Sequence, residues 1–384
     1  MLRKPGAGGL RLNRYGRMWE RNEAMRALAL GAGFLLMASA CLAQQPFPGE
    51  PAQAQPAAPP QSQPKQPPQY FPADPNLELP TFHVSTSVVI VPTLVEKSNG
   101  DVLYGLKPQD FSVLDNGVEQ KVHVDDDLDA QPVSLVVCVE RGRDAALEFR
   151  MFDKLGPLLQ AFVGDGLGEV ALVAFDSRPV WVTPFTANVD AITRDLREMP
   201  QGDDGAAILD AVGYAVNLLE QRPATNRRVL LLIGESRDHG SHIFNIPELV
   251  ERIGTSNTLV QSLIFSPSKA EIIDWARGNS GGGSELNMLA PLLMTVNAMR
   301  RNVPKTLADL SGGEYAPFTR DKGFQSRVLE AASHARNRYI LSFRPSDLTP
   351  GLHTIQVKLT EDYKARVIAR NSYWAIRRDD VGQP

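Results

Sequence analysis

The stretch Pro132-Val133-Ser134-Leu135-Val136-Val137-Cys138-Val139-Glu140 decides the fold. Its apolar run, residues 134–139, has the length and β-branched content of a parallel strand that is covered on both faces. The run ends in a charged segment, Glu140-Arg141-Gly142-Arg143-Asp144. In open α/β sheets, ligands bind just beyond the carboxyl ends of the strands. A binding site is therefore expected directly after Val139.

Strand and helix patterns alternate from Val133 onward. Apolar residues at helical spacing between 147 and 162 and between 208 and 219 indicate helices. Strands are predicted at residues 134–139, 170–175, 180–183, 229–233, 259–265 and 315–318. The alternation predicts an α/β fold with a doubly wound, mostly parallel sheet. The link between the second and third strands is too short for a crossover, so this pair is predicted to form one antiparallel edge.

Short β patterns flank this α/β region on both sides. Residues 84–94 alternate in polarity, and residues 110–124 are typical of a hairpin around Asn116-Gly117. After a predicted helix over 324–337, further strands are predicted at residues 339–343, 354–359 and 365–369. We expect these flanking segments to be small and sandwich-like. The sequence does not decide whether the two segments pack together.

The N-terminus has the regions of a secretory signal peptide. Basic residues precede an apolar core that lies between Met25 and Ala43 and is shorter than the ~20 residues of a membrane-spanning helix. Loss of residues 1–43, with seven basic and two acidic side chains, would change the formal net charge from −4 to −9. We expect export to the periplasm, the cell envelope or the exterior. Cleavage after Ala43, lipid anchoring at Cys41, a retained membrane anchor and a later start codon remain alternatives.

The composition suggests a division of the chain into six parts. Residues 44–80 are rich in Pro and Gln and are predicted to be a disordered linker. The acidic run 125–129 lacks the glycine and terminal glutamate of a calcium loop and is interpreted as a solvated linker. The predicted parts are a signal peptide with an N-terminal extension (1–43), the linker (44–80), an N-terminal β segment (81–131), the α/β domain (132–322, with an insertion at 266–301), a helix and C-terminal β segment (323–376), and a tail (377–384).

Short motifs follow one another in order through residues 81–376. They are Leu106-Lys107-Pro108-Gln109-Asp110-Phe111, Asp115-Asn116-Gly117, Pro132-Val133-Ser134-Leu135, Phe185-Thr186, Leu209-Asp210-Ala211, Leu310-Ser311-Gly312-Gly313 and Tyr339-Ile340-Leu341-Ser342-Phe343. Their order resembles the von Willebrand factor A fold, and more closely the acidobacterial exported proteins related to it. The resemblance implies a von Willebrand factor A-like sheet and a role in binding another protein or a surface polymer.

The resemblance also implies a metal-ion-dependent adhesion site, which binds Mg²⁺ through oxygen ligands. That site has Asp-x-Ser-x-Ser after the first strand, a later Thr, and an Asp after the fourth strand. In this sequence the first Asp position falls on Glu140, the two Ser positions on Gly142 and Asp144, the Thr position on Ala206 and the last Asp position on Glu235. No position keeps the residue of the motif. We therefore expect a degenerate site with no resident metal and no other cofactor.

A remodelled cation site is the alternative that the same residues leave open. Its carboxylate ligands would come from Glu140, Asp144 and Glu235, with Asp238 as a fourth. The imidazoles of His239 and His242 would be additional ligands, but two loop histidines without a third ligand are more often surface residues. Arg141, Arg143 and Arg237 lie between these acids and can pair with them without metal. We therefore favour an arginine–carboxylate surface over a Mg²⁺ site.

We expect an exported, non-enzymatic interaction or adhesion-type module that acts without metal. Its predicted interaction face comprises Glu140, Arg141, Gly142, Arg143, Asp144, Asp203, Asp204, Glu235, Arg237 and Asp238. No basic patch favours nucleic acid, and membrane contact is expected only through an anchor at Cys41. Two other hypotheses remain: metal-dependent adhesion or hydrolysis at the remodelled carboxylates, and a structural role in an envelope assembly with the insertion 266–301 as the contact.

Overall fold

A computed structural model of the chain describes residues 71–72, 88–125, 131–142, 154–164, 168–265, 291–319 and 321–376. The predicted signal peptide, most of the predicted linker, residues 126–129 of the acidic run and the tail lie outside the described residues. Arg143, Asp144 and residues 266–290 of the predicted insertion lie outside them as well.

The described chain contains both a helix-covered sheet and smaller all-β sheets. The strands are β1 (Phe71–Pro72), β2 (Val89–Lys97), β3 (Phe111–Asp115), β4 (Val118–Gln120), β5 (His123–Asp125), β6 (Val133–Glu140), β7 (Glu169–Phe175), β8 (Pro179–Thr186), β9 (Arg227–Gly234), β10 (Leu259–Phe265), β11 (Tyr315–Phe318), β12 (Tyr339–Phe343), β13 (Gly351–Leu359), β14 (Ala365–Ala369) and β15 (Ser372–Ala375). The α-helices are α1 (Leu155–Val163), α2 (Val189–Arg197), α3 (Ile208–Glu220), α4 (Ile246–Ser256), α5 (Pro291–Arg301), α6 (Val303–Ser311) and α7 (Asp321–Arg336). None of these helices is long and apolar enough to cross a membrane.

The seven-stranded sheet has the strand order β1-β8-β7-β6-β9-β10-β11. Strands β6, β7, β9, β10 and β11 are parallel, and β8 runs antiparallel to β7. The prediction of a doubly wound, mostly parallel sheet with an antiparallel strand is confirmed. One detail differs: β8 is not the outermost strand, because β1 pairs with it through Phe71 and Pro72. Both residues lie inside the range predicted to be a disordered linker.

Helices cover both faces of the sheet because alternate side chains of β6 point to opposite sides. Leu135 and Val137 pack in one hydrophobic cluster with α1, α2 and α7. Val136 and Cys138 pack in a second cluster with α3, α4 and α6. Every residue of β6 is buried, as expected for a central parallel strand. The chain therefore leaves this covered layer at Glu140, at the carboxyl end of β6.

The flanking strands form two four-stranded antiparallel sheets, which we call the β module (residues 88–125 and 339–375). The strand orders are β14-β2-β12-β5 and β15-β13-β3-β4. Strands from before and after the α/β part pair directly, since β2 lies between β12 and β14 and β3 pairs with β13. Val91, Val113 and Leu341 are fully buried in one cluster between the sheets. The sandwich-like character is confirmed, and the two segments do pack together.

The turn between β3 and β4 follows the hairpin predicted around Asn116-Gly117. Asn116 has φ 47° and Gly117 has φ 81°. A type I′ turn requires positive φ at both central residues, which is why Asn-Gly is favoured there. This local part of the prediction is confirmed.

Arg370, which is 3% exposed, joins the β module to the α/β part. Its guanidinium donates hydrogen bonds to the carbonyls of Ser372, Ile90 and Gly254 and to Oδ1 of Asn257. Burial lowers its pKa to about 10, so the group is still charged at neutral pH. A buried charge is tolerated only when its donors are satisfied. Because its acceptors come from both parts, Arg370 fixes the position of α4 against the module.

A second buried arginine, Arg338, makes a similar connection where α7 enters β12. Its Nε donates to the carbonyl of His334 at 2.8 Å, Nη1 donates to the carbonyl of Gly312, and Nη2 lies 3.3 Å from Oε2 of Glu314. The same carboxylate oxygen is 2.9 Å from Nδ1 of His334. Burial lowers the pKa of Arg338 to about 10, although Glu314 acts against this change. The segment before β11 is thereby tied to the end of α7.

Asp115, His353 and Tyr373 form a buried hydrogen-bonded group across β3, β13 and β15. Nδ1 of His353 lies 3.0 Å from Oδ1 of Asp115, and its Nε2 lies 2.7 Å from the carbonyl of Thr349. The Tyr373 hydroxyl donates to Oδ2 of Asp115 at 2.9 Å. Burial alone would lower the pKa of His353, but the hydrogen bonds to Asp115 and Thr349 outweigh it and raise the pKa above its ordinary value. The folded state therefore favours the protonated imidazole.

This raised pKa predicts a pH dependence of stability. The contribution of His353 to the free energy of unfolding should be fully present below the ordinary histidine pKa of about 6.5 and be lost as the pH rises through the folded-state pKa. Urea unfolding from about pH 5 to about pH 9 should show this decrease, and His353→Gln should make it smaller. Burial acts to lower the pKa of His334, but its hydrogen bond to Glu314 outweighs this effect and raises the pKa, so His334 should contribute to the decrease that remains. An unchanged slope in His353→Gln would contradict the assignment.

Removal of the Arg370 side chain is expected to be strongly destabilising. Arg370→Ala should lower the free energy of unfolding by about 3 kcal/mol or more, because it leaves several buried oxygens without a donor. Arg344 is an exposed arginine of the same module, and Arg344→Ala serves as the matched control, with an expected change below about 0.5 kcal/mol. Urea unfolding of both variants measures the difference. Similar losses in the two variants would show that Arg370 has no such joining role.

Candidate functional site

The predicted site lies at the carboxyl edge of the large sheet. We define the carboxyl edge as the described loops 140–142, 176–178, 202–207 and 235–244. Backbone hydrogen bonds hold these loops together. Gly202 N–H donates to the carbonyl of Arg141 at 2.8 Å, while Ala206 and His239 exchange two hydrogen bonds of 3.0 and 2.8 Å. The structure thus brings together the segments that the sequence assigned to the site.

Glu140 is buried beneath this edge rather than displayed on it. Its side chain is 3% exposed, and Oε2 accepts a hydrogen bond of 2.7 Å from the backbone N–H of Glu235. Gly234 makes room for it, since a Cβ there would lie 2.6 Å from the same oxygen. The prediction that Glu140 belongs to the interaction face is therefore corrected. Its carboxylate holds the end of β9 against the end of β6.

Arg141 pairs with an acid that the sequence analysis did not single out. Its Nη2 lies 2.8 Å from Oδ2 of Asp176, and the two side chains are only 15% and 9% exposed. Asp176 also accepts from the backbone N–H of Arg178 at 3.1 Å. This arginine–carboxylate pair is therefore largely internal. Asp176 could have been identified from its position directly after β7, which ends at the same edge.

Asp203 closes the turn that precedes α3. Its Oδ1 accepts from the backbone N–H groups of Ser177 and Gly205, both at 2.9 Å, and its Oδ2 accepts from the Ser177 hydroxyl. The hydrogen bond from the Ser177 side chain is the main reason that the pKa of Asp203 lies below its ordinary value. Asp203 and its neighbour Asp204, which the sequence analysis assigned to the contact face, are both exposed.

Asp210 and Asp238 fix the loop after β9 to the start of α3. The Asp210 side chain is fully buried and accepts from the backbone N–H groups of His242, Ile243 and Phe244 at 2.9 to 3.0 Å. Oδ1 of Asp238 accepts from the backbone N–H of Leu209 at 3.0 Å. Asp210 was quoted only as part of a motif. An acidic residue in the first turn of a predicted helix commonly accepts backbone N–H groups, and this position could have identified Asp210 from the sequence.

The two histidines of the edge lie at the surface. His239 is 54% exposed, with Nε2 3.5 Å from Oε1 of Glu235, and His242 is 64% exposed. Arg237 is exposed as well. Within the described residues, one group of three side chains has metal-ligand spacing, and it comprises Glu96, Glu314 and His334. That group belongs to the junction with the β module, where Arg366 and Arg338 already bind the two glutamates.

The described residues of the carboxyl edge do not fit the magnesium site that the resemblance implies. Gly142 and Ala206 have no side-chain oxygen where that site has Ser and Thr. Gly142 also has no space for a side chain, because a Cβ would lie 2.7 Å from the carbonyl oxygen of Gly205. The carboxylates of Glu140 and Asp210 are buried and accept backbone N–H groups. Of the other candidate ligands, Glu235 lies 3.5 Å from Nε2 of His239, Asp238 accepts from the backbone N–H of Leu209, and Asp144 lies outside the described residues.

Residues 144–236 match the family model of the von Willebrand factor type A domain. The α/β part has a von Willebrand factor A-like fold. The matched region begins just after β6 and ends just after β9, so it contains the edge loops 176–178 and 202–207 but not 140–142 or most of 235–244. The family model covers less than half of the chain, and the β module lies outside the match. The comparison with curated proteins found no match.

Three solved structures illustrate the structural likeness. BatB, a conserved hypothetical protein from Bacteroides thetaiotaomicron, is 13% identical, with a TM-score of 0.35 over 53% of this chain and 98% of that one. An aerotolerance-related membrane protein from Bacteroides fragilis is 14% identical, with a TM-score of 0.35 over 52% and 98%. Proximal thread matrix protein 1 from the mussel byssus is 9% identical, with a TM-score of 0.36 over 53% and 48%. At these TM-scores the likenesses carry no functional conclusion.

Restoration of the family serine at position 142 is expected to damage this edge rather than to create a metal site. Gly142→Ser should lower the free energy of unfolding by about 1 to 3 kcal/mol, because its Cβ contacts the Gly205 carbonyl. Addition of Mg²⁺ or Mn²⁺ to the chelator-treated variant should leave its thermal midpoint unchanged. Asp204→Ser, at an exposed position of the same edge, serves as a control for the thermal measurement. A saturable stabilisation of Gly142→Ser by either ion would contradict this interpretation.

Proposed function

We propose that this chain is an exported, non-enzymatic protein-binding module that contacts its partner through the carboxyl edge without a divalent metal. The observation that carries the proposal is the internal hydrogen bonding of the edge carboxylates. Metal-dependent recognition needs ligand oxygens that are free to coordinate a cation with open positions. In this chain, buried Glu140 accepts the backbone N–H of Glu235, buried Asp210 accepts three backbone N–H groups, and Asp176 is paired with Arg141.

A metal-free edge still presents a polar surface to a partner. Its exposed charged residues, Arg178, Asp203, Asp204 and Arg237, carry both signs. Charged groups of this kind favour partner selection and a fast encounter more than they increase affinity. The underlying loops are held by backbone hydrogen bonds and by the largely buried Arg141–Asp176 pair, which supports a preformed contact surface. A preformed surface loses less conformational entropy when a partner binds.

The chemistry of the edge also favours binding over catalysis. Asp203 has a lowered pKa, which makes its carboxylate a weak general base. Glu140 is buried and is occupied by the Glu235 N–H, so it is poorly placed to activate water. The N-terminal signal-like segment and the Pro/Gln-rich stretch support export and a spacer before the folded part. The partner is accordingly proposed to be a protein or polymer met outside the cytoplasm.

Site-specific cross-linking can test this function directly. The photoreactive residue p-benzoylphenylalanine is placed at Asp204 in the full chain, produced in its native cells, and irradiated with and without EDTA. We expect a discrete cross-linked product in the exported fraction, with the same yield in both conditions. The matched control carries the same residue at Thr360, which is exposed in the β module.

Three outcomes would contradict the proposal. Failure to form any product from position 204 would remove the carboxyl edge as the contact face. Equal products from positions 204 and 360 would indicate nonspecific contact. A product that disappears with EDTA would favour metal-dependent adhesion instead.

A further inference from the structure

A cavity of about 200 Å³ lies far from the carboxyl edge, where the β module meets the large sheet. Gln261 lines it near the start of β10, and Glu314 lines it just before β11 begins. The cavity is thus at the amino end of the sheet. Its other walls are α7 and two strands of the β module, β13 and β14. Gln356 and Arg366 are exposed, so the cavity opens to solvent.

The β13 wall presents a strand edge without a neighbour. The carbonyl of Thr354 accepts from the backbone N–H of Asn116, and the N–H of Thr360 donates to the carbonyl of Asp110. The backbone N–H and C=O groups of the even-numbered residues of β13 therefore point toward β3. Residues of an antiparallel strand alternate in the direction of their backbone hydrogen bonds. Ile355 N–H accordingly points the other way and donates to Asn371. Val357 has the same orientation, but β15 ends before reaching it. The backbone N–H and C=O of Val357 therefore point toward the cavity, and no strand among the described residues pairs with them.

The β14 wall presents a second edge of this kind. In β2, the carbonyl of Val95 accepts from the N–H of Leu103, and the N–H of Lys97 donates to the carbonyl of Asp101. Both hydrogen bonds lie on the side of β2 away from β14. Leu94 and Glu96 therefore form the hydrogen bonds to β14, through Ile368 and Arg366. Val367, which lies between these two, has its N–H and C=O turned away from β2. β14 is the last strand of its sheet, so this edge is open in the described part of the chain.

The unpaired polar groups that line the cavity are neutral. Oε1 of Gln261 accepts from Glu314 N–H, but Nε2 has no hydrogen-bond partner among the described residues, and neither has Oδ1 of Asn371. The charged side chains around them are already paired. Arg366 binds Glu96 at 2.7 Å, and Arg327 binds Glu330. An occupant therefore needs hydrogen-bond donors and acceptors but no net charge.

We propose that this cavity, which we call the strand wedge, binds an extended peptide segment of a partner protein as an added β-strand. The backbone of an extended peptide presents N–H donors and C=O acceptors in alternation. These groups can pair with the outward C=O and N–H groups of Val357 and Val367. Strand addition gains affinity from main-chain hydrogen bonds and selectivity from the pockets for alternate side chains. The small residues Ala316, Ala331 and Ala369 in the lining leave room for such side chains. The strand wedge would be a second binding surface, and this proposal does not depend on the proposed function of the carboxyl edge.

Ordered water is the simplest other occupant. Water fills about 30 Å³ per molecule, so a cavity of this size holds several molecules, and polar lining groups are commonly satisfied in that way. The test must therefore distinguish a site that accepts peptides from a hydrated gap between two sheets.

The probe is a library of random seven-residue peptides displayed on phage and selected on the full chain. Selected sequences are synthesised, and their Kd is measured by fluorescence anisotropy. Val367→Pro removes the outward N–H without removing a hydrogen bond to β2, and Val367→Ala keeps the N–H while shortening the side chain. We expect Val367→Pro to raise the Kd at least tenfold and Val367→Ala to raise it less than about threefold.

Hydrogen exchange on the unmodified chain provides a second readout, which does not depend on the folding of a variant. The amides of Val357 and Val367 should exchange rapidly in the free chain and be protected when the peptide is bound. Three results would overturn the proposal: no peptide selected, which leaves water as the occupant; peptides whose Kd is unchanged in Val367→Pro; or protection of both amides before any peptide is added.

Discussion

The arrangement of the β module against the α/β part depends on buried arginines whose guanidinium groups find hydrogen-bond acceptors on both sides of the junction. Arg370 reaches the end of α4 and the β module together, and Arg338 ties α7 to the segment that leads into β11. Hydrophobic contact alone would allow the β module to slide or rotate against the helices. Directional hydrogen bonds from a planar group with fixed donors do not. The two binding surfaces that we infer therefore lie on a frame of fixed geometry.

At the carboxyl edge, hydrogen bonds and an ion pair within the protein hold the loops together. A metal collects loops by attracting several oxygens to one point. Here the loops are collected pairwise, by Arg141 on Asp176, by Ser177 on Asp203 and by the backbone on Asp210. In the function that we propose, such an edge is assembled during folding and its geometry does not depend on the supply of an ion. Recognition at this edge would then be constitutive.

The sequence predicts the parts of this structure that depend on local pattern. The apolar run of β6, the Asn116-Gly117 turn and the strand–helix alternation each encode a local preference, and each is confirmed. The burial of an individual charged side chain cannot be predicted from local sequence pattern, because it depends on residues that are distant in the sequence. Arg370 and Arg344 look alike in sequence, yet one is buried and the other exposed, because only one meets a group of carbonyls. Likewise, Glu140 is buried because Gly234, 94 positions later, leaves space for it. Short strands such as β15 carry too few residues to show an alternation.

The β module is discontinuous along the chain, and this affects the order in which the protein can form. Asp115 and His353 are in contact although 238 positions separate them. Synthesis proceeds from the N-terminus, so β2 to β5 are made long before β12 to β15 exist. Until then, their open edges are available for pairing with other chains. The α/β part has mostly closer contacts and can fold in the interval. Strands β5 and β12, which flank the α/β part in the chain, pair with each other, so folding of that part would bring the late strands close to the early ones.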